Sequence, residues 1–199
     1  MHPRLAFAAL PLLPLLACLV PPAGAADVAA IKDKLELCVS CHGKDGISDQ
    51  QEIPSLAGQP DLFLQWQLIY FRGGARKSPQ MSPVAADLTN EDVRNLGAHF
   101  AALKPPAAPA DDPDPQLSAA GAKLVAQRRC ISCHSDNFAG TKATARLAGQ
   151  REDYLVKALT DFKTGKRSGG GVAAMADVAY GLQDDEVKAL AHYLAHFKG

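Results

Sequence analysis

The sequence predicts an all-α protein made of two tandem helical domains related by internal duplication, and three observations carry that reading. No stretch alternates apolar and polar residues long enough to make a half-buried strand, whereas apolar residues recur at helical spacings in both halves. The halves also repeat each other: Leu56-Ala57-Gly58-Gln59 returns as Leu147-Ala148-Gly149-Gln150, an offset of 91. Finally, Lys104 to Pro115 separates them with five prolines and three aspartates.

Each half reads as three helices. Ile31 and Leu35 precede Cys38, and Leu124 and Val125 precede Cys130, so a short first helix leads into each cysteine pair. A second helix spans residues 61–72 in one half and 152–164 in the other, stopped by Gly73-Gly74 and by Gly165. Along it Phe63, Leu64, Leu68, Phe71, Gly74 and Arg76 match Tyr154, Leu155, Leu159, Phe162, Gly165 and Arg167 at the same offset of 91. The third helix opens with Thr89-Asn90-Glu91-Asp92, a capping-box arrangement, and in the second half with Asp184, Asp185 and Glu186 at its positive dipole end. Val93, Leu96, Phe100 and Leu103 then form one apolar stripe, as do Val187, Leu190, Leu194 and Phe197 at an offset of 94. The larger offset reflects extra residues around Gly169-Gly170-Gly171.

The expected organisation is a signal peptide at 1–25, domains at 27–104 and 117–199, and a proline-rich linker at 105–116. Arg4, the apolar run Leu5 to Val20 and the small residues Ala23-Gly24-Ala25 make a secretory signal, implying export. Leu15-Leu16-Ala17-Cys18 also resembles a lipoprotein processing site, though Leu16 fits it poorly. Fixed proline dihedrals let Pro105 to Pro115 reach about 34 Å, enough to cross the face of a domain. Two domains of about 80 residues are small for a self-sufficient core, so a bound apolar group is expected to complete each one.

Cys38-Val39-Ser40-Cys41-His42 and Cys130-Ile131-Ser132-Cys133-His134 supply that group's attachment. These two CxxCH motifs use every cysteine except Cys18. Two thiols at this spacing can each join one vinyl group of a haem, with the next histidine delivered beneath the ring to the iron. A zinc ribbon places its pairs about 15 to 20 residues apart and needs no histidine directly after each. Here the pairs start 92 positions apart and both are followed by His. Two covalently attached haem c groups are therefore expected, held at Cys38, Cys41, Cys130 and Cys133, with His42 and His134 on the iron.

Apart from Met1, the chain contains only Met81, 43 residues after Cys38, and Met175, 45 after Cys130. A thioether is a soft neutral ligand that favours reduced iron, and one per half is what two His/Met haems require. Of the other histidines, His2 falls in the signal segment, while His99, His192 and His196 fall on or beside the third helices. His192 and His196 have the i, i+4 spacing of a metal pair, although a solvated helix face is the commoner origin of such spacing.

With 21 basic and 21 acidic side chains, the chain has no broad positive field for nucleic acid or an anionic membrane. Any electrostatic docking to a partner must use local patches.

Both CxxCH motifs, both Leu-Ala-Gly-Gln segments, Phe71-Arg72-Gly73-Gly74-Ala75-Arg76 with Phe162-Lys163-Thr164-Gly165-Lys166-Arg167, and one methionine per half resemble the dihaem cytochrome c4 family. The resemblance implies two class I cytochrome c-type domains, axial pairs His42/Met81 and His134/Met175, and propionates near the domain interface. It also implies a periplasmic or membrane-associated carrier of single electrons, with a terminal oxidase or quinol-oxidising complex as partner and no catalytic residue of its own. In such domains a proline carbonyl often accepts the proximal histidine's Nδ1 proton. Pro54 fits that place, whereas the second half has Ala145 there, and Ser135 in place of Gly43. Arg76 and Arg167 read equally well as propionate partners and as exposed arginines. Two other roles suit the same motifs: the dihaem subunit of an oxidoreductase such as a flavocytochrome c sulfide dehydrogenase, and a haem enzyme such as a peroxidase or thiosulfate-oxidising cytochrome. The haem enzyme needs an open sixth position, against which Met81 and Met175 both argue.

Overall fold

The structure is a computed structural model that describes residues 26–169 and 171–199. The expected signal segment, Cys18 and Gly170 lie outside the described residues. Among these, nine helices and no strand occur. The first half contains α1 (Lys32–His42), α2 (Asp61–Arg72), α3 (Met81–Ala86) and α4 (Asn90–Ala102). The second contains α5 (Pro115–Gln127), α6 (Ile131–His134), α7 (Glu152–Lys163), α8 (Ala173–Tyr180) and α9 (Asp184–Ala195).

Each half has its own core. Ile31, Leu64, Phe71, Ala85, Leu88, Val93, Leu96 and Phe100 form the first cluster, where α2 packs on α3 and α4. The second gathers Val125, Phe138, Leu155, Phe162, Leu182, Val187, Leu190 and Leu194, where α9 packs on α5 and α7. The stripes expected on the third helices are buried, apart from the half-buried Leu103 and Phe197 at their ends. Thr89 caps α4 by accepting the Asp92 N–H at 3.1 Å, while its own N–H reaches Asp92 Oδ2 at 2.8 Å.

Three features differ from the sequence expectation. The short helices α3 and α8 were not expected, because six and eight residues are too few to display a helical period. Helix α1 does not merely lead into the first cysteine motif but runs through it to His42. In the second half the corresponding helix stops at Gln127, Arg129 takes a left-handed conformation (φ 55°), and the motif continues on the separate turn α6. Helix α5 opens with Pro115, whose missing N–H costs nothing in a first turn, under an Asp114 cap that accepts the Leu117 N–H at 2.9 Å.

The linker is pinned to both halves. Gly58 and Gly149, the glycines of the repeated Leu-Ala-Gly-Gln segments, have φ of 67° and 70° and lie directly under the chain. A Cβ on Gly58 would come within 2.6 Å of Pro105 Cβ, and one on Gly149 within 2.6 Å of Pro106 O. Further along, Lys198 Nζ bonds Ala110 O at 2.6 Å and His192 Nε2 meets Asp112 Oδ1 at 2.9 Å.

Candidate haem sites

Both motif histidines are buried and held in the same way. His42 Nδ1 lies 2.8 Å from Pro54 O, and His134 Nδ1 lies 2.8 Å from Ala145 O. A carbonyl can only accept, so each Nδ1 carries the proton and donates it. Burial lowers both histidine pKa values, and the carbonyl bond only partly opposes this, so each ring is neutral near pH 7. A neutral ring with its proton fixed on Nδ1 leaves the Nε2 lone pair for a metal. The alanine carbonyl serves as well as the proline carbonyl, because the acceptor is backbone.

Cys38 and Cys130 are half-buried and Cys41 and Cys133 exposed. Burial pushes the Cys38 thiol up to about 11 and raises Cys130 as well. Met81 is the first residue of α3 and packs on the same apolar cluster as Cys38. Met175, in α8, does so with Cys130. In each half the structure thus brings the cysteine motif and the one methionine to a single core, and the unexpected helices are the ones that carry the methionines.

The remaining described histidines are engaged elsewhere. His192 is 3% exposed and is no solvated face: its Nε2 meets Asp112 and its Nδ1 meets Glu152 Oε2 at 3.0 Å. His196 Nδ1 bonds His192 O at 2.9 Å, and His99 packs edge-on against Phe100.

Where the halves meet, the two arginines converge. Arg76 Nη1 donates to Gln67 Oε1 at 2.7 Å, and Arg167 Nη2 donates to the same oxygen at 2.8 Å. Each guanidinium lies over its own half's phenylalanine, Arg76 at 4.5 Å from the Phe71 centroid and Arg167 at 4.4 Å from Phe162. Arg167 is 8% exposed, which excludes the exposed reading for it, and its Nε has no hydrogen-bond partner. Burial brings the Arg167 pKa down to about 10. Burial alone would raise the Tyr154 phenol, but the charges of Arg76 and Arg167 outweigh it and bring Tyr154 down to about 8. The nearby Asp161 is already paired with Lys157 and Lys166 at 2.5 and 3.4 Å. This is a pocket of buried positive charge with an orphaned donor, and a carboxylate is the group that would satisfy it. Haem propionates fit, as do the neutral histidines and paired thiols. Gln67 and Tyr154 were not singled out as site residues from sequence, because Arg167 for Gln67 and Arg76 for Tyr154 lie across the duplication.

Comparison with known proteins agrees. The Cytochrome c family profile matches residues 118–198. Cytochrome c4 of Azotobacter vinelandii is 33% identical over 189 residues, covering 85% of this chain and 89% of that protein. The chain belongs to the cytochrome c4 family. The crystal structure of reduced recombinant cytochrome c4 from Pseudomonas stutzeri superposes with a TM-score of 0.78 at 31% identity, covering 87% of this chain and 100% of that one. A Thiomonas intermedia protein named thiosulfate dehydrogenase electron acceptor is 32% identical over 182 residues, covering 87% of this chain and 84% of its own. As a cytochrome c4 the chain carries two covalent haem c groups, at Cys38/Cys41 and Cys130/Cys133, and transfers electrons.

Proposed function

We propose that this cytochrome c4 is a periplasmic carrier that passes single electrons from a quinol-oxidising complex towards a terminal oxidase, with His42/Met81 and His134/Met175 as the axial pairs. The supporting observation is the matched fixing of His42 and His134 by backbone carbonyls, with a methionine on each core. The two halves are read as separate haem-binding domains, 27–104 and 117–199, joined at 105–116. Bound iron supplies a one-electron couple. The chain's own residues do the rest. The Nδ1 bonds prevent ring rotation, Met81 and Met175 would supply the second protein ligand to each iron, and the packed cores exclude water, so little would rearrange between oxidation states. Arg76 and Arg167 hold propionate charge at the interface. No described helix is long and apolar enough to cross a membrane.

The ligand assignment is tested by the ferric spectrum. Met81→Ala and Met175→Ala should each remove about half of the weak red-end band that marks sulfur ligation, and high-spin iron in the unmodified protein would overturn it. A second reading, as the dihaem partner of an oxidoreductase, is favoured by the relatives named thiosulfate dehydrogenase electron acceptors; a flavocytochrome c sulfide dehydrogenase subunit is the other form of this role. Reoxidation of the reduced protein by oxidase-containing membranes supports the carrier. Stable co-purification with a dehydrogenase supports the partner role.

A further inference from the structure

The two Leu-Ala-Gly-Gln glutamines are 5% and 4% exposed, and neither spends its side chain on its own domain alone. Gln150 Oε1 accepts the Ser55 N–H at 2.9 Å, and Gln150 Nε2 donates to Ser55 O at 2.9 Å. Gln59 treats Arg146 identically: Oε1 accepts the Arg146 N–H at 2.9 Å and Nε2 donates to Arg146 O at 2.9 Å. The residue pairs 59/150 and 55/146 share the offset of 91, so the four bonds obey the pseudo-twofold symmetry of the duplication. The amide orientations are fixed, because a backbone N–H can only donate and a carbonyl only accept. One asymmetry exists: Gln150 Oε1 also accepts the Arg151 N–H at 3.0 Å.

The Ser55 N–H belongs to the same peptide group as the Pro54 carbonyl, which accepts the His42 proton. The Arg146 N–H likewise belongs to the peptide of the Ala145 carbonyl, which accepts the His134 proton. A peptide whose N–H is bonded to an acceptor has a more negative carbonyl oxygen, so bonds in series strengthen one another. We propose that each domain tunes the iron of the other: Gln150 polarises the Pro54–Ser55 peptide and Gln59 the Ala145–Arg146 peptide, making His42 and His134 more electron-rich ligands. A more electron-rich imidazole stabilises ferric iron, so each bond holds the opposite haem's potential down. The glutamines are positioning residues acting through a peptide and a histidine. The proposal rests on His42 and His134 being the iron ligands.

The test is a redox titration of the full dihaem protein, followed by NMR with the Met81 and Met175 methyl signals reporting each haem. Gln150→Leu should favour reduction of the haem at Cys38/Cys41 by about threefold in electron occupancy relative to its neighbour, and Gln59→Leu should favour the haem at Cys130/Cys133 to a similar extent. Gln150→Glu keeps an acceptor for the Ser55 N–H and guards against a Leu variant that opens the interface; it should move the first haem the other way. In the reduced protein, the His42 ring N–H signal should move upfield in Gln150→Leu while that of His134 stays in place. Equal shifts at both haems, a larger shift at the haem of the mutated domain, or no shift with the interface intact would overturn the proposal. If neither haem of the unmodified protein shows a histidine ring N–H and a ligating methionine methyl, the ligand assignment itself fails, which is a separate result.

Discussion

Gly46 and Phe138 occupy the same place in the two halves and fill it in opposite ways. The Gly46 carbonyl accepts the N–H groups of Leu56 and Ala57, and the Phe138 carbonyl accepts those of Leu147 and Ala148. Both residues are left-handed, with φ of 70° and 51°. In the first half the space beside Gly46 is taken by Phe100 and Leu103, whose side chains would lie 3.1 and 3.2 Å from an added Cβ. In the second, Leu194 and Phe197 stand at those repeat positions and Phe138 itself is 1% exposed, edge-on to Phe197 at 4.7 Å. The second half carries one aromatic ring more at these positions while the carbonyl contacts were kept. Core filling beside this turn is therefore variable. The loop geometry that presents Pro54 and Ala145 to the histidines is not.

Phe138→Ala breaks this comparison most strongly. Removing a fully buried ring should cost the second half about 3–5 kcal/mol, read as a lower urea midpoint for that half with the first unchanged. Next comes the pair of helix contacts. A Cβ on Gly121 would lie 2.2 Å from the Ala189 carbonyl oxygen, so Gly121→Ala must push α5 from α9, at about 1–3 kcal/mol. A Cβ on Gly97 would meet the Asp61 side chain at 2.4 Å, which can swing away, so Gly97→Ala should lower the thermal midpoint less. Thr89→Ala removes the α4 cap and should cost about 1 kcal/mol in denaturant titration.

The smallest effect concerns a clamp that only the second half has, since Ala98 stands where His192 does. His192 in α9 faces Asp112 of the linker and Glu152 of α7, with the His196 ring tilted against it at 4.2 Å. Burial would lower the His192 pKa, but the bonds from Asp112 and Glu152 outweigh it and raise it; bonds from Ser118 and His192 bring Asp112 down to about 2. A raised histidine gives its full stabilisation below about pH 6.5 and loses it as pH rises through the folded value. A depressed carboxyl gives its full stabilisation above its ordinary 3.8 and loses it as pH falls towards about 2. Protection of the linker from proteolysis should therefore be greatest between about pH 4 and 6.5 and lose this dependence in His192→Leu.

The helices at 61–72 and 152–163, the apolar stripes of α4 and α9 and the two cysteine motifs were legible because each depends on local spacing. Helices α3 and α8 were not, since a turn or two has no period to detect. The break at Arg129 was equally invisible, because no glycine or proline marks it. Arg76 and Arg167 could be named but not decided, because their environment is made by the other half.

By itself, then, the sequence determined a duplicated helical chain, the attachment points of two haems and one methionine in each half, because covalent chemistry and helical period are written in neighbouring residues. Only the tertiary structure decided that the arginines share one buried pocket, that His192 is a clamp, and that each glutamine reaches the peptide behind the opposite histidine. Those partners lie between 80 and 100 residues apart in pairs such as His192–Asp112 and Arg167–Gln67, and no local pattern encodes which surfaces of two folded domains will meet.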